Sequence, residues 1–221
     1  MNGRVVRTLG TKIDPQRDRV HVDGRLVDLR TTKVWVMLHK PQGYLSTCSD
    51  PHGRPTVGSL VSGYGTRLFP VGRLDMDTEG LLLLTNDGEL AYQLTHPKFG
   101  IPKTYVAEVE GDPSAAALQR LCRGVELEDG HTSPAEVRPL ARGGGRTRLE
   151  LVLTEGKKRQ VRRMLETVGH PVRTLRRVRT GPLALGDLPV GKARELSAEE
   201  VAALRRAVGR EPETAARTRH D

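Results

Sequence analysis

Hydrophobic positions are sparse over residues 1–30, where Val5-Val6, Val20 to Val22 and Leu26-Val27 are separated by Asp14-Pro15 and Asp23-Gly24. This pattern predicts short strands and turns, a piece too small to be stable alone. Val34-Trp35-Val36-Met37-Leu38 then opens a main domain, and residues 40–67, rich in Gly, Pro and Ser, read as a loop region. Leu81-Leu82-Leu83-Leu84 is apolar on both faces, the mark of a central strand, and Thr85-Asn86-Asp87-Gly88 ends it with turn residues. A short helix over Glu89 to Thr95 stops at Pro97, and residues 104–110 alternate as a strand. Asp112-Pro113 predicts a helix over 113–123, with Asp at the cap and Pro at its first position. Arg148 to Leu153 is a strand after the Gly143-Gly144-Gly145 turn. Arg159 to Val168 is an amphipathic helix, with Val161, Met164, Leu165 and Val168 at i, i+3, i+4 and i+7. Residues 172–179 form a strand, and Ser197-Ala198-Glu199-Glu200 is a capping box opening a last helix to Val208.

Short helices interleaved with strands of mixed character predict an α+β fold with a mixed, mainly antiparallel sheet. Regular βαβ alternation with phosphate-binding glycines is missing, which argues against a doubly wound fold. The expected organisation is a small module over 1–30, a main domain over 31–209 and a disordered polar tail over 210–221.

Composition narrows the class. A chain of 221 residues, 36% hydrophobic and 29% charged, suits a globular protein with one good core or two small ones. No apolar run approaches the ~20 residues of a membrane span, and the first residues lack the apolar stretch of a signal peptide. Cys48 and Cys122 are far apart, so a reducing cytoplasm fits better than a disulfide framework. The net charge of +9 is concentrated. Between Thr154 and Thr180 stand nine Lys/Arg (Lys157, Lys158, Arg159, Arg162, Arg163, Arg173, Arg176, Arg177, Arg179) against Glu155 and Glu166. Such clustering is a footprint for a phosphate backbone; its plainer reading is a solvated charged face.

Three segments could carry chemistry. In Val71 to Gly88, Asp75 stands between a compact Gly72-Arg73-Leu74 turn and the leucine strand, as a loop acid anchored by a core element. A lone loop aspartate is more often a cap. Asp77 and Glu79 lie nearby, but the spacing is not that of a calcium loop and no metal site is expected. Tyr105, on the opposite strand face from Thr104 and Val106, is either a core residue or a base-stacking face with a phenol for proton transfer. In Thr154 to Met164, Gly156 permits a tight turn, Arg159 and Arg163 project away from the core, and Arg162 sits at the edge within reach of a carboxylate. The histidines, His39, His96 and His170 among them, show no zinc spacing.

GRLDMDTEGLLLLTNDG, KTYVAEVEG and EGKKRQVRRMLETVGHPV agree in order and spacing with three motifs of the RsuA/RluB family of ribosomal RNA pseudouridine synthases, and LRRVRTGPLALGDLPVGKARELSAEEVAAL resembles the family's C-terminal pattern. The resemblance covers about residues 33–205. It implies a pseudouridine synthase catalytic domain in which Asp75 acts on the ribosyl portion of the target uridine. Tyr105 then packs against the base and assists proton removal, and Arg162 pairs with the aspartate. Leu175 matches an apolar residue lining the base pocket; apart from the resemblance, Arg73 and, from the charge cluster, Lys157, Arg159, Arg163, Arg176 and Arg177 are expected to bind substrate. The resemblance further implies no metal or organic cofactor and a ribosomal RNA substrate, with the large-subunit RNA favoured; a monomer without an obligate protein partner is the default expectation. The first 30 residues resemble only the end of the family's N-terminal RNA-binding module, so a truncated module is expected. The alternative from another class is a non-catalytic RNA-binding or ribosome-assembly protein; a glycoside hydrolase lacks a second placed acid and an aromatic sugar groove.

Overall fold

The computed structural model describes residues 1–14, 17–27 and 32–209. The tail expected over 210–221 lies outside the described residues. The chain divides into two compact units, Met1–Lys33 and Val34–Asp221. In the first, strands β1 (Val20–Val22) and β2 (Arg25–Val27) pair antiparallel about the Asp23-Gly24 turn, as the sequence predicts. Most of this unit's side chains are exposed.

The second unit is built on one sheet. Its strands are β3 (Trp35–Lys40), β4 (Phe69–Val71), β5 (Glu79–Thr85), β6 (Lys103–Glu110), β7 (Glu136–Gly143), β8 (Arg146–Leu153), β9 (Val172–Thr180), β10 (Leu183–Ala184) and β11 (Ala193–Glu195). Helices α1 (Gly88–Thr95), α2 (Ala115–Arg123), α3 (Gln160–Thr167) and α4 (Ala198–Val208) pack among them. The order across the sheet is β11-β3-β5-β9-β6-β8-β7, with β4 added to β5 and β10 to β9. Every pairing is antiparallel except β5 with β9, so the sheet is mixed and mainly antiparallel as expected.

Strand β5 is buried from Gly80 onward because both its faces are covered. Leu81 and Leu83, with Trp35 and Met37 of β3, meet Leu90 and Leu94 of α1 and Leu204 of α4. Leu82 and Leu84, with Val36 and Leu38, meet Val57 and Val61 on the other side. Beyond β9, a separate cluster joins Ala107, Leu149, Leu151 and Leu175 of the sheet to Leu121 of α2 and Val161, Met164 and Leu165 of α3. The sheet therefore has two halves, each with its own core.

Their strands join between β5 and β9. One edge of β5 is shared: its start runs parallel to β9 for two registered pairs, Glu79↔Arg176 and Gly80↔Arg177, and its later part pairs with β4. Strand β5 thus forks between β4 and β9, and the fork leaves a cleft.

Several elements differ from the sequence reading. The segment 40–67 holds a 3-10 helix, Val57–Tyr64, anchored by Val57 and Val61. Helix α2 is capped by Ser114, whose Oγ accepts from Ala117 N–H, and not by Asp112; Pro113 precedes the cap. Arg159 is the cap residue of α3 at φ +50 rather than its first helical residue. Strands β4, β7, β10 and β11 carry no alternation long enough to read, and β7 includes Pro139 and exposes nearly every side chain.

Candidate active site

Asp75 lies in the loop between β4 and β5, and that loop is fastened on both sides. Ser46 Oγ accepts from Leu74 N–H (3.0 Å) and donates to Leu74 O (2.8 Å). Met76 O accepts from Gly43 N–H at 2.8 Å, and Asp75 O accepts from Thr78 N–H at 3.0 Å. Beneath it sits Lys40, fully buried, whose Nζ donates to Asp75 O (3.1 Å), Thr78 O (2.9 Å) and Pro41 O (3.0 Å). All three ammonium donors are thereby spent on carbonyls, which fixes the backbone under the carboxylate. Burial lowers the Lys40 ammonium to about 8, opposed by the carboxylates of Asp77 and Asp75. Nothing in the sequence singles this lysine out: it ends an apolar strand, and its partners are carbonyls from distant positions.

The carboxylate of Asp75, about 38% exposed, faces the cleft in the fork of β5. The cleft holds about 350 Å³, in the range of small-ligand sites. Leu83, Leu153, Val161 and Leu175 form its apolar floor, and Tyr105 contributes a half-buried ring from β6. Lys103 also lines it; burial, with the neighbouring Arg177 charge, lowers its ammonium to about 8. Asp75, Tyr105 and Leu175, separated by up to 100 positions in sequence, therefore share one cavity, as the sequence expects.

The arginines are arranged differently from the expectation. Arg162 is paired not with Asp75 but with Asp77, with Nε 3.3 Å from Oδ2 and Nη2 donating to Asp77 O at 2.9 Å. Arg159 holds the same carboxylate through two hydrogen bonds (3.1 and 2.9 Å), and its Nη1 is 4.0 Å from Asp75 Oδ2. Burial works against the Asp77 charge, but the Arg159 hydrogen bonds and the Arg162 charge hold its carboxyl below the usual range. Asp75 keeps a Coulombic influence on both guanidinium groups.

Of the six cations expected on substrate, five are engaged within the protein itself, Arg159 on Asp77 being the first. Lys157 Nζ donates to the carbonyls of Asp129, Gly130 and His131, tying down the turn after α2. Arg163 makes a two-point pair with Asp129 (2.8 and 3.0 Å). Arg177, 4% exposed, donates to Leu81 O at 2.8 Å and supports the seam between β5 and β9. Arg176 is exposed and paired with Glu79 at 2.7 Å. Arg73 is exposed at the cleft and is left without an ion pair among the described residues. Among these residues no group of three His, Cys, Asp or Glu is placed to hold a metal ion.

A family model described as RNA pseudouridylate synthase matches residues 34–167, beginning where the second unit begins and ending with α3. The chain belongs to this family. An uncharacterized RNA pseudouridine synthase of Aquifex aeolicus is 46% identical over 95% of this chain and 84% of its own length. The ribosomal large subunit pseudouridine synthase B of Bacillus subtilis is 44% identical over 93% of this chain and 84% of its own. A crystal structure of a pseudouridylate synthase superposes with a TM-score of 0.74 at 30% identity, covering 92% of this chain and 86% of that one. The pseudouridine synthase family, with its isomerase chemistry, and the fold are thus those the sequence motifs imply.

Proposed function

We propose that this protein converts a uridine of large-subunit ribosomal RNA to pseudouridine, with Asp75 as the catalytic carboxylate. The observation that carries the reading is the single cleft that presents Asp75 on a fastened loop opposite Tyr105, over an apolar floor. The substrate class rests on two relatives whose names specify the large ribosomal subunit, from Bacillus subtilis and, at 40% identity, Haemophilus influenzae. No helix among the described residues is long and apolar enough to cross a membrane; with ribosomal RNA as the proposed substrate, the proposed location is the cytoplasm.

Uridine inside folded RNA reaches such a cleft only when extruded from its stack. The uracil then lies against Tyr105 and Leu175. Asp75 either attacks the anomeric carbon or takes a proton from the neighbouring ribose carbon. In both routes the nitrogen–carbon bond breaks and its electrons leave with the uracil. The ring turns and rejoins through carbon, and the proton displaced there is removed with help from the Tyr105 phenol. Arg159, held by Asp77 and 4.0 Å from Asp75 Oδ2, lines the cleft beside the reacting carboxylate. Outside it, Arg73 and Arg176 contact phosphates.

The test is site-resolved pseudouridine mapping on unmodified small- and large-subunit RNA with the wild-type chain and Asp75→Asn. One new signal in the large-subunit RNA, lowered more than about 100-fold by the substitution, is expected. A signal confined to the small subunit refutes the substrate, and one indifferent to Asp75→Asn refutes the role of the acid. Tight RNA binding by the wild type without any isomerisation favours a binding protein instead.

A further inference from the structure

The chain has only seven Phe, Trp and Tyr residues, and two of them meet a histidine and a lysine on the rim of the cleft. Tyr92 lies 5.1 Å from His96, ring centre to ring centre, and 6.5 Å from Phe99 in an edge-on contact; His96 and Phe99 are 6.3 Å apart. Lys98 Nζ stands 4.7 Å from the Phe99 ring centre and 5.9 Å from that of Tyr92. Phe99 is packed against the core and His96 accepts from Lys98 N–H, so the group is anchored from below. Tyr92, in contrast, is 53% exposed.

Its place in the fold gives this exposure a meaning. Tyr92 and Thr95 are three residues apart on α1 and therefore neighbours on its surface. Thr95 and Pro97 line the cleft that contains Asp75, and Arg73 lines it too. Along the helix axis Tyr92 and Thr95 are about one turn apart, roughly 5 Å, a separation that a nucleotide adjoining one in the cleft can span. An exposed ring with cations beside it is the chemistry that holds single-stranded nucleic acid: the ring takes a base, and the cation takes the phosphate.

We propose that Tyr92, supported by His96 and Phe99, is a stacking platform for an unpaired nucleobase of the substrate RNA next to the extruded uridine, with Lys98 on its phosphate. The inference rests on the reading of Asp75 as the centre of an RNA-modifying site. Tyr92 takes no part in the chemical step. It holds the flanking strand in the splayed form that leaves the target base free to enter.

The experiment uses the full chain with unmodified large-subunit RNA, measuring RNA affinity together with KM and kcat for pseudouridine formation. Tyr92→Ala is expected to weaken binding and raise KM about 10-fold, with kcat within about twofold of wild type. Tyr92→Phe keeps the ring and is expected to behave as wild type. Lys98→Gln is expected to flatten the salt dependence of binding by about one phosphate contact. Thermal midpoints of the three variants should match wild type, since neither side chain is buried. Unchanged affinity in Tyr92→Ala, or an equal loss in Tyr92→Phe, overturns the platform. A wild type that binds this RNA without modifying it overturns the catalytic reading alone, because the affinity comparison still decides for or against stacking.

Discussion

Lys40 shows how much a single side chain can carry without announcing itself. Its ammonium titrates near 8 in the folded chain and near 10.5 in the unfolded one. Between those values the unfolded chain binds the extra proton, so stability rises with pH across that window, and the penalty for burying the charge is fully present below 8. Lys103, also lowered to about 8, adds in the same sense. Turnover should move the opposite way, because the neutral amine has one donor fewer for the carbonyls of Asp75, Thr78 and Pro41. Denaturant midpoints taken from pH 8 to 10.5 should climb more steeply for wild type than for Lys40→Met; equal slopes exclude the assignment. That Asp75 and Tyr105 share a cleft was legible because each sits in a motif with its own pattern. Lys40 was not, because carbonyl acceptors leave no trace in residue type. The same limit explains Lys157 and Arg163: a charge count registers cations but not which of them already have partners.

At the scale of elements, strand β5 could be read from four leucines in a row, and the amphipathic period of α3 was equally plain. What escaped was how β5 is joined on its shared edge. Gly80, at φ +122, lies where β5 meets β9, and a Cβ there would run into the backbone N and O of Arg177. The sequence shows only a glycine before a leucine run; the structure shows that no side chain fits between the two strands. Gly80→Ala should therefore destabilise the protein by at least about 2 kcal/mol, measured by chemical denaturation. A loss below about 0.5 kcal/mol would mean that the strands can part there without penalty. Strands β4 and β7 were invisible for a different reason. One is three residues long, and the other, a sheet edge wet on most of its length, lacks the alternation that burial imposes.

For the molecule as a whole, the +9 charge left open a polyanionic partner or a merely basic surface, and its spread overstates the cations free to bind one. Asp77 alone engages Arg159 and Arg162. Asp77→Asn should release both toward phosphate, tightening RNA binding and steepening its salt dependence by about 0.7–0.9 logarithmic units per phosphate gained. Weaker binding with an unchanged slope would show that the carboxylate positions these arginines for RNA rather than competing with it. The sheet has a comparable division of labour. Each half closes its own core, while the seam of two registered pairs between β5 and β9 joins segments nearly 100 residues apart. Loop closure of that length is entropically unfavourable and is offset only by the contacts the closed sheet makes. Asp75 stands on the β4–β5 side of that seam and Arg159 on the other, while Tyr105 packs against the cores of both. The cleft they line is therefore a property of the closed sheet alone, and neither stretch of chain contains it by itself.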